Sequence, residues 1–263
     1  GQGRSQHYGL PRHVAGVGQQ IPVTTEEAAG RGQAWGTLHA LQGDGYWVEG
    51  EGLRAMLGGG PYFDGLPWLL QDMRPQGFLG RSFAKQYMGQ ALGSDPRQWS
   101  DDDVLLAITQ FGDDLPGNLI VGEAALQRYV QRTGKGLPVA VPGDYPALAQ
   151  AAIEGAVPGS SAGGEQPKFC CLDREGRSWI VKFSSAENNI VTQRVRALLR
   201  CEHLALQILR TAGQPAAHTQ LYDIEGRIFL AVERVDRSEP DLQGQTPGRI
   251  GMVSLEEFNA EAA

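Results

Sequence analysis

Gly159-Ser160-Ser161-Ala162-Gly163-Gly164-Glu165-Gln166-Pro167-Lys168 runs directly into Phe169-Cys170-Cys171-Leu172. A glycine- and serine-rich turn thus feeds an apolar strand. Glycines let a backbone approach a ligand closely and present its N–H groups. Phosphate oxygens need such donors, and Lys168 adds a cation. The stretch is not a Walker loop, which ends in Gly-Lys succeeded by Ser or Thr and opens a helix. Here Pro167 precedes the lysine and a strand comes next. Taken alone, the stretch fits a surface turn with a solvated lysine equally well. The residues downstream of it tip the balance.

Lys168–Leu172 and Ser178–Phe183 read as strands joined by the hairpin signal Asp173-Arg174-Glu175-Gly176-Arg177. A long helix is predicted from Val191 to Thr211, with Gly213 as its stop. Gln220–Ile224 and Arg227–Val235 form a second hairpin around Glu225-Gly226. The order is glycine loop, strand, strand, helix, strand, strand. That is the layout of a protein-kinase small lobe.

Three features of this layout bear on chemistry. Lys182 stands near the end of Trp179-Ile180-Val181-Lys182-Phe183, where a kinase lysine contacts the α- and β-phosphates. Read without context, it is an outward-facing strand lysine. Glu202 shares a helix face with Val195, Leu198, Leu199, Leu206 and Leu209. A carboxylate on an apolar stripe demands a partner, because burying a lone ion costs several kcal/mol. Lys182 is the partner the layout offers; otherwise the stripe is rotated and Glu202 reaches solvent. Glu233-Arg234-Val235-Asp236 closes the last strand. There it is either a charged strand end or the hinge whose backbone reads an adenine edge.

Upstream, residues 1–25 are short, turn-rich and locally basic. Trp35 to Val48 with Gly43-Asp44-Gly45 suits a hairpin, and Leu66 to Met73 and Phe78 to Leu92 look helical around the break Pro75-Gln76-Gly77. Ser100 and Asp103 predict a capped helix bearing Val104, Leu105, Ile108 and Phe111 on one side. Leu119-Ile120-Val121 reads as a buried strand, and the Pro/Gly-rich stretch 138–146 as a linker.

The 263 residues suffice for one large domain or two small ones. No apolar run approaches a membrane span, and no signal peptide is read. A net charge of −7 argues against a generally basic nucleic-acid-binding surface. Cys170, Cys171 and Cys201 lack metal or redox spacing and the histidines are scattered, so no metal site is expected. That cysteine usage suits a reducing cytosol, and a cytoplasmic protein is expected. The first residues lack an initiator methionine and the last read as an opening helix, so a fragment of a longer protein is expected.

These residues together resemble the HipA-like serine/threonine kinases, toxins of bacterial toxin–antitoxin systems. The loop Ser161 to Lys168, the strand Ile180-Val181-Lys182, the helix segment Cys201-Glu202-His203 and the hinge Leu230 to Arg237 carry the resemblance. Phe63 to Trp68, Met73 to Gly80 and Asp114 to Val121 resemble the N-terminal subdomain of these kinases. The match covers residues 30 to 255 or so. It implies an α+β protein: a possible winged-helix tail at 1–25, a HipA-type N-terminal subdomain at 26–137, the linker at 138–146, and a kinase-like small lobe at 147–263.

The resemblance implies ATP and Mg²⁺ as cofactors. ATP would be bound by Gly163, Gly164, Glu165, Gln166, Pro167, Lys168, Lys182, Glu233, Arg234 and Val235, with Glu202 as the structural ion-pair partner. It implies regulatory phosphorylation of Ser161, with Ser160 as fallback. It implies a protein substrate, with aminoacyl-tRNA synthetases as the suggested class, and an antitoxin partner. DNA contact would pass only through the winged helix, and no membrane partner is implied. No catalytic Asp with metal-binding Asn and Asp comes after Asp236, and Asp241 lies in a Pro/Gly-rich segment. The large lobe, and with it every catalytic residue, is therefore expected to be missing, leaving these residues inactive in phosphoryl transfer. The competing expectation is a non-catalytic winged-helix regulator whose kinase-like part binds nucleotide or a partner.

Overall fold

The computed structural model describes residues 9–50, 60–89, 91–131, 137–155, 163–239 and 248–257. The protein is α+β, with two antiparallel sheets and helices packed on them. The first sheet holds β1 (Gln20–Glu26), β2 (Gly32–Ala40), β3 (Gly45–Glu49), β4 (Tyr62–Asp64) and β5 (Leu119–Val121), in the order β4-β3-β2-β1-β5. β2 and β3 form the hairpin read from Gly43-Asp44-Gly45. Gly43 and Asp44 both take positive φ, 80° and 62°, as a tight hairpin turn demands.

A short 3₁₀ helix, Trp68–Met73, leads to α1 (Gly77–Phe83), which continues as a π turn, Ala84–Met88. α2 (Asp101–Phe111) opens on a capping box in which Ser100 and Asp103 satisfy each other's backbone N–H. Its Val104, Leu105 and Ile108 pack with Ile21, Leu38 and Tyr46 into one core. α3 (Glu123–Gln131) packs beside α2.

The second sheet holds β6 (Lys168–Leu172), β7 (Ser178–Phe183), β8 (Thr219–Ile224) and β9 (Arg227–Glu233), in the order β6-β7-β9-β8. α4 (Tyr145–Glu154) covers one face and α5 (Ile190–Thr211) the other. Strand period two sorts the side chains between them. Phe229 and Ala231 join Phe169, Phe183 and Tyr145 under α4, while Ile228 and Leu230 meet Leu199 of α5. The α4 side is an aromatic cluster, with Phe169 and Phe183 centroids 6.0 Å apart and Tyr145 and Phe229 at 5.7 Å.

Two boundary expectations are corrected. β1 begins at Gln20 and lies between β2 and β5, so residues 20–25 belong to the first sheet and not to a preceding tail. Residues before it also pack there: Arg12 Nη2 donates to Asp102 Oδ1 at 2.7 Å and its guanidinium stacks on Tyr46. Residues 1–8, and their basic Arg4 and His7, lie outside the described residues. The stretch 138–146 is not a linker. Val139 bridges Leu172, Ala140 N–H donates to Leu172 O at 2.9 Å, and Tyr145 is core. The prolines that suggested a break include Pro146, which sits in the first turn of α4, where no N–H is needed.

Candidate functional site

The register of the second sheet gathers the candidate groups. Lys182 of β7 lies opposite Lys168 of β6 on one side and Leu230 of β9 on the other. It stands on the face that α5 crosses. α5 starts where Asn189 caps it by accepting from Thr192 N–H at 2.8 Å. Three turns on, it presents Glu202. Lys182 Nζ donates to Glu202 Oε1 at 2.6 Å, and the side chains keep 25% and 33% of their exposure. Glu202 does not sit at the centre of a buried stripe. Leu199 is fully buried, but Leu198 and Leu209 are 57% and 44% exposed, so Glu202 marks the border of the packed face.

Lys168 is buried and turns its Nζ onto the turn that precedes it, donating to Gly163 O and to Gly164 O, the latter at 3.1 Å. Burial, aided by the facing charge of Lys182, lowers its pKa to about 8. Two lysines and a glycine turn therefore converge on one strand pair, with a carboxylate alongside one of them.

The hinge candidates divide. Glu233 N–H donates to His218 O and Arg234 N–H to Ser178 O, each at 2.9 Å, so both are committed to the sheet. The Arg234 side chain points inward and is 1% exposed, so it cannot meet a nucleotide. Val235 is exposed, and it is the residue of the three left to face a ligand. Glu165 and Gln166 lie in the described part of the turn, where Glu165 reaches Arg81 at 2.7 Å. Ser160, Ser161 and Asp241 lie outside the described residues. Among the described residues, no three His, Cys, Asp or Glu side chains cluster as a metal would require.

A cavity of about 550 Å³ lies elsewhere, walled by Trp35, Trp68, Met73, Asn118, Arg249 and Met252. Its walls include neither Lys168, Lys182 nor Glu202.

Sequence reasoning missed a second charged assembly where the first and second sheets meet. Arg234 Nε and Nη2 grip Asp236 at 2.9 and 2.8 Å, and Arg237 Nη2 holds Asp114 Oδ1 at 2.8 Å. Asp236 also accepts from Gly117 N–H at 3.1 Å. Arg249 Nε pairs with Glu26 Oε2 at 2.9 Å and its Nη2 donates to Asp113 O. Burial opposes the Arg234 charge, yet Asp114 and Asp236 more than offset it and hold its pKa above the ordinary value. Burial likewise lowers Arg249, here to about 10, with Arg237 adding to the effect and Asp114 and Glu26 opposing it. Only Glu26 carried a clue, as a charged residue ending an otherwise alternating strand.

Comparison with known proteins agrees with this division of the chain. The family described as YjjJ-like toxin, middle domain, matches residues 17–130, and the HipA-like C-terminal domain matches residues 160–259. Toxin YjjJ of Escherichia coli (strain K12) is 36% identical over 272 residues, an alignment covering 99% of this chain and 58% of that protein. This chain thus spans little more than half the length of that curated relative. With a YjjJ-like segment built on the first sheet and a HipA-like segment built on the second, the chain belongs to the HipA-like toxin family.

Proposed function

We propose that this chain supplies the nucleotide-binding wall of an ATP-dependent serine/threonine kinase, acting as the toxin of a toxin–antitoxin pair. The observation that carries the reading is the Lys182–Glu202 pair beside the turn that Lys168 organises. A strand lysine held by a helix carboxylate is the arrangement by which kinases aim a cation at phosphate oxygens. The groups present fit a polyphosphate: two cations, and a turn whose Gly164, at φ 99°, tolerates no ordinary side chain.

In this reading Gly163, Gly164 and Lys168 hold phosphate from the turn and Lys182 from the strand, while Glu202 keeps Lys182 extended. Val235 faces the adenine edge. ATP supplies the transferable γ-phosphoryl group when bound. The described residues offer no cage for Mg²⁺. The protein substrate, with aminoacyl-tRNA synthetases as the class suggested by family resemblance, the antitoxin partner and the cytoplasmic setting belong to the same proposal. Among the described residues, no helix is long and apolar enough to cross a membrane.

Titration calorimetry of the full-length protein with ATP tests the reading, together with γ-phosphate transfer from radiolabelled ATP. Lys182→Met should weaken ATP binding by about tenfold or more, since a charge-assisted phosphate contact is worth over 1 kcal/mol. It should also abolish transfer. Wild-type affinity in that variant would refute the proposal.

A further inference from the structure

We infer that the segment Gly77–Met88 of the first domain is a brace that sets the glycine turn of the second, so that Gly77 and Arg81 are positioning residues for nucleotide binding. The inference rests on the nucleotide reading above for its consequence, but not for its geometry. Phe78 N–H, in the first turn of α1, donates to Gly164 O at 3.0 Å. The first N–H groups of a helix lack partners within it, so the turn's carbonyl satisfies one of them. Gly77, at φ 64°, lies against the same peptide: a Cβ there would come within 2.4 Å of Gly164 O. Gln76 touches the turn next door, its Nε2 3.2 Å from where a Gly163 Cβ would stand. Arg81 Nη1 then reaches Glu165 Oε2 at 2.7 Å.

The same segment also holds the end of α4. Lys85 Nζ donates to Glu154 O at 3.2 Å, and its Cδ lies 3.4 Å from the Cβ position of Gly155. One short helix therefore fixes Glu154–Gly155 on one side and Gly163–Glu165 on the other. It is itself rooted in both cores, with Phe83 and Met88 in the first and Phe78 against the second. Gly164 O accepts from Phe78 and from Lys168 together, so displacing α1 also disturbs the lysine. Gly77, Arg81 and Lys85 reach the backbone and flank of the turn, not the Lys182–Glu202 pair. Their effect on a nucleotide would be indirect, through the population of turns in the binding-competent shape.

The test uses the full-length protein, ATP affinity by calorimetry, and hydrogen exchange at residues 163–167. Gly77→Ala should weaken ATP binding on the order of tenfold, because it combines a disfavoured positive φ with a backbone clash. Arg81→Glu should weaken it by about two- to fivefold, the scale of an exposed pair. Both should raise exchange at residues 163–167. The reversed pair, Arg81→Glu with Glu165→Arg, should recover protection at residues 163–167, which loss of folding would not allow. If the wild type binds ATP and both single variants match it in affinity and exchange, the brace is wrong. If the wild type does not bind ATP, the nucleotide reading fails, and exchange at 163–167 still decides the brace.

Discussion

The junction of the two sheets and the Lys182 cleft both rest on ion pairs, yet the pairs are of opposite kinds. At the junction, Arg234, Asp236, Arg237, Arg249 and Glu26 keep between 1% and 7% of their side-chain exposure. In the cleft, Lys182 and Glu202 keep 25% and 33%. A buried cluster costs several kcal/mol per ion in desolvation and tolerates no missing member. A half-open pair is held loosely, and its lysine stays within reach of a ligand. Depth of burial, more than the presence of a salt bridge, separates a group that fastens domains from one that can exchange partners.

The largest effect that would sharpen this contrast is at the junction. Arg234→Ala should destabilise the protein by about 3–5 kcal/mol, because it breaks the buried two-point grip on Asp236 and leaves that carboxylate with Arg237 and Gly117 N–H alone. Replacing Arg234 and Asp236 together with apolar residues of similar volume should cost less than either single change. Urea denaturation of the three variants measures both. A loss below about 1 kcal/mol for Arg234→Ala would erase the distinction between the two clusters.

In the cleft, the double-mutant cycle of Lys182→Met and Glu202→Gln should give a coupling of about 0.5–1 kcal/mol. It should shrink as salt is raised, since half-exposed charges are screened. A coupling as large and salt-insensitive as that expected at the junction would mean that Lys182 is a structural lysine.

Lys168 lies between the two cases. Its folded pKa, about 8, lies below the usual 10.5 of an unfolded lysine. Between those values the unfolded state binds more protons, so this group's contribution to stability rises with pH. Its penalty is fully present below pH 8 or so and fades toward pH 10.5. The stability of the wild type relative to Lys168→Met should therefore increase from pH 7.5 to pH 10. Parallel pH curves for the two proteins would show that the lysine is not desolvated.

The second sheet was legible because its signals are local. Alternation in β9, the hairpin turns and the 3.6-residue rhythm of α5 each lie within a few residues, and they led to Lys182 and Glu202. β9 itself stops at Glu233, earlier than the Val235 expected, because Arg234 turns inward to Asp236. The first sheet was harder. β1 holds Pro22 and ends in Glu26, which gives it the look of a tail; both are tolerated because of partners far along the chain, Arg249 above all. α3 and α4 carry only narrow apolar faces, too weak a signal to read. The brace was invisible for another reason. Gly77 reads as a helix breaker, and nothing near it in sequence names Gly164 as the neighbour that forbids a side chain there.

The junction also sets an order of events during synthesis. Glu26 leaves the ribosome early, Asp114 midway, and Arg234 and Arg237 late, while Arg249 emerges after both sheets are complete. Until then Glu26 lacks the Arg249 counter-charge that it meets at its buried position in β1. The first sheet can pair its strands beforehand, but it reaches its final stability only when the second has been made. Contacts of such long sequence separation form slowly and keep intermediates open to misassembly. A chaperone or protease that samples the nascent chain would therefore meet the YjjJ-like segment as a loosened sheet, and the last strand of the HipA-like sheet would bring the arginines that begin to tighten it.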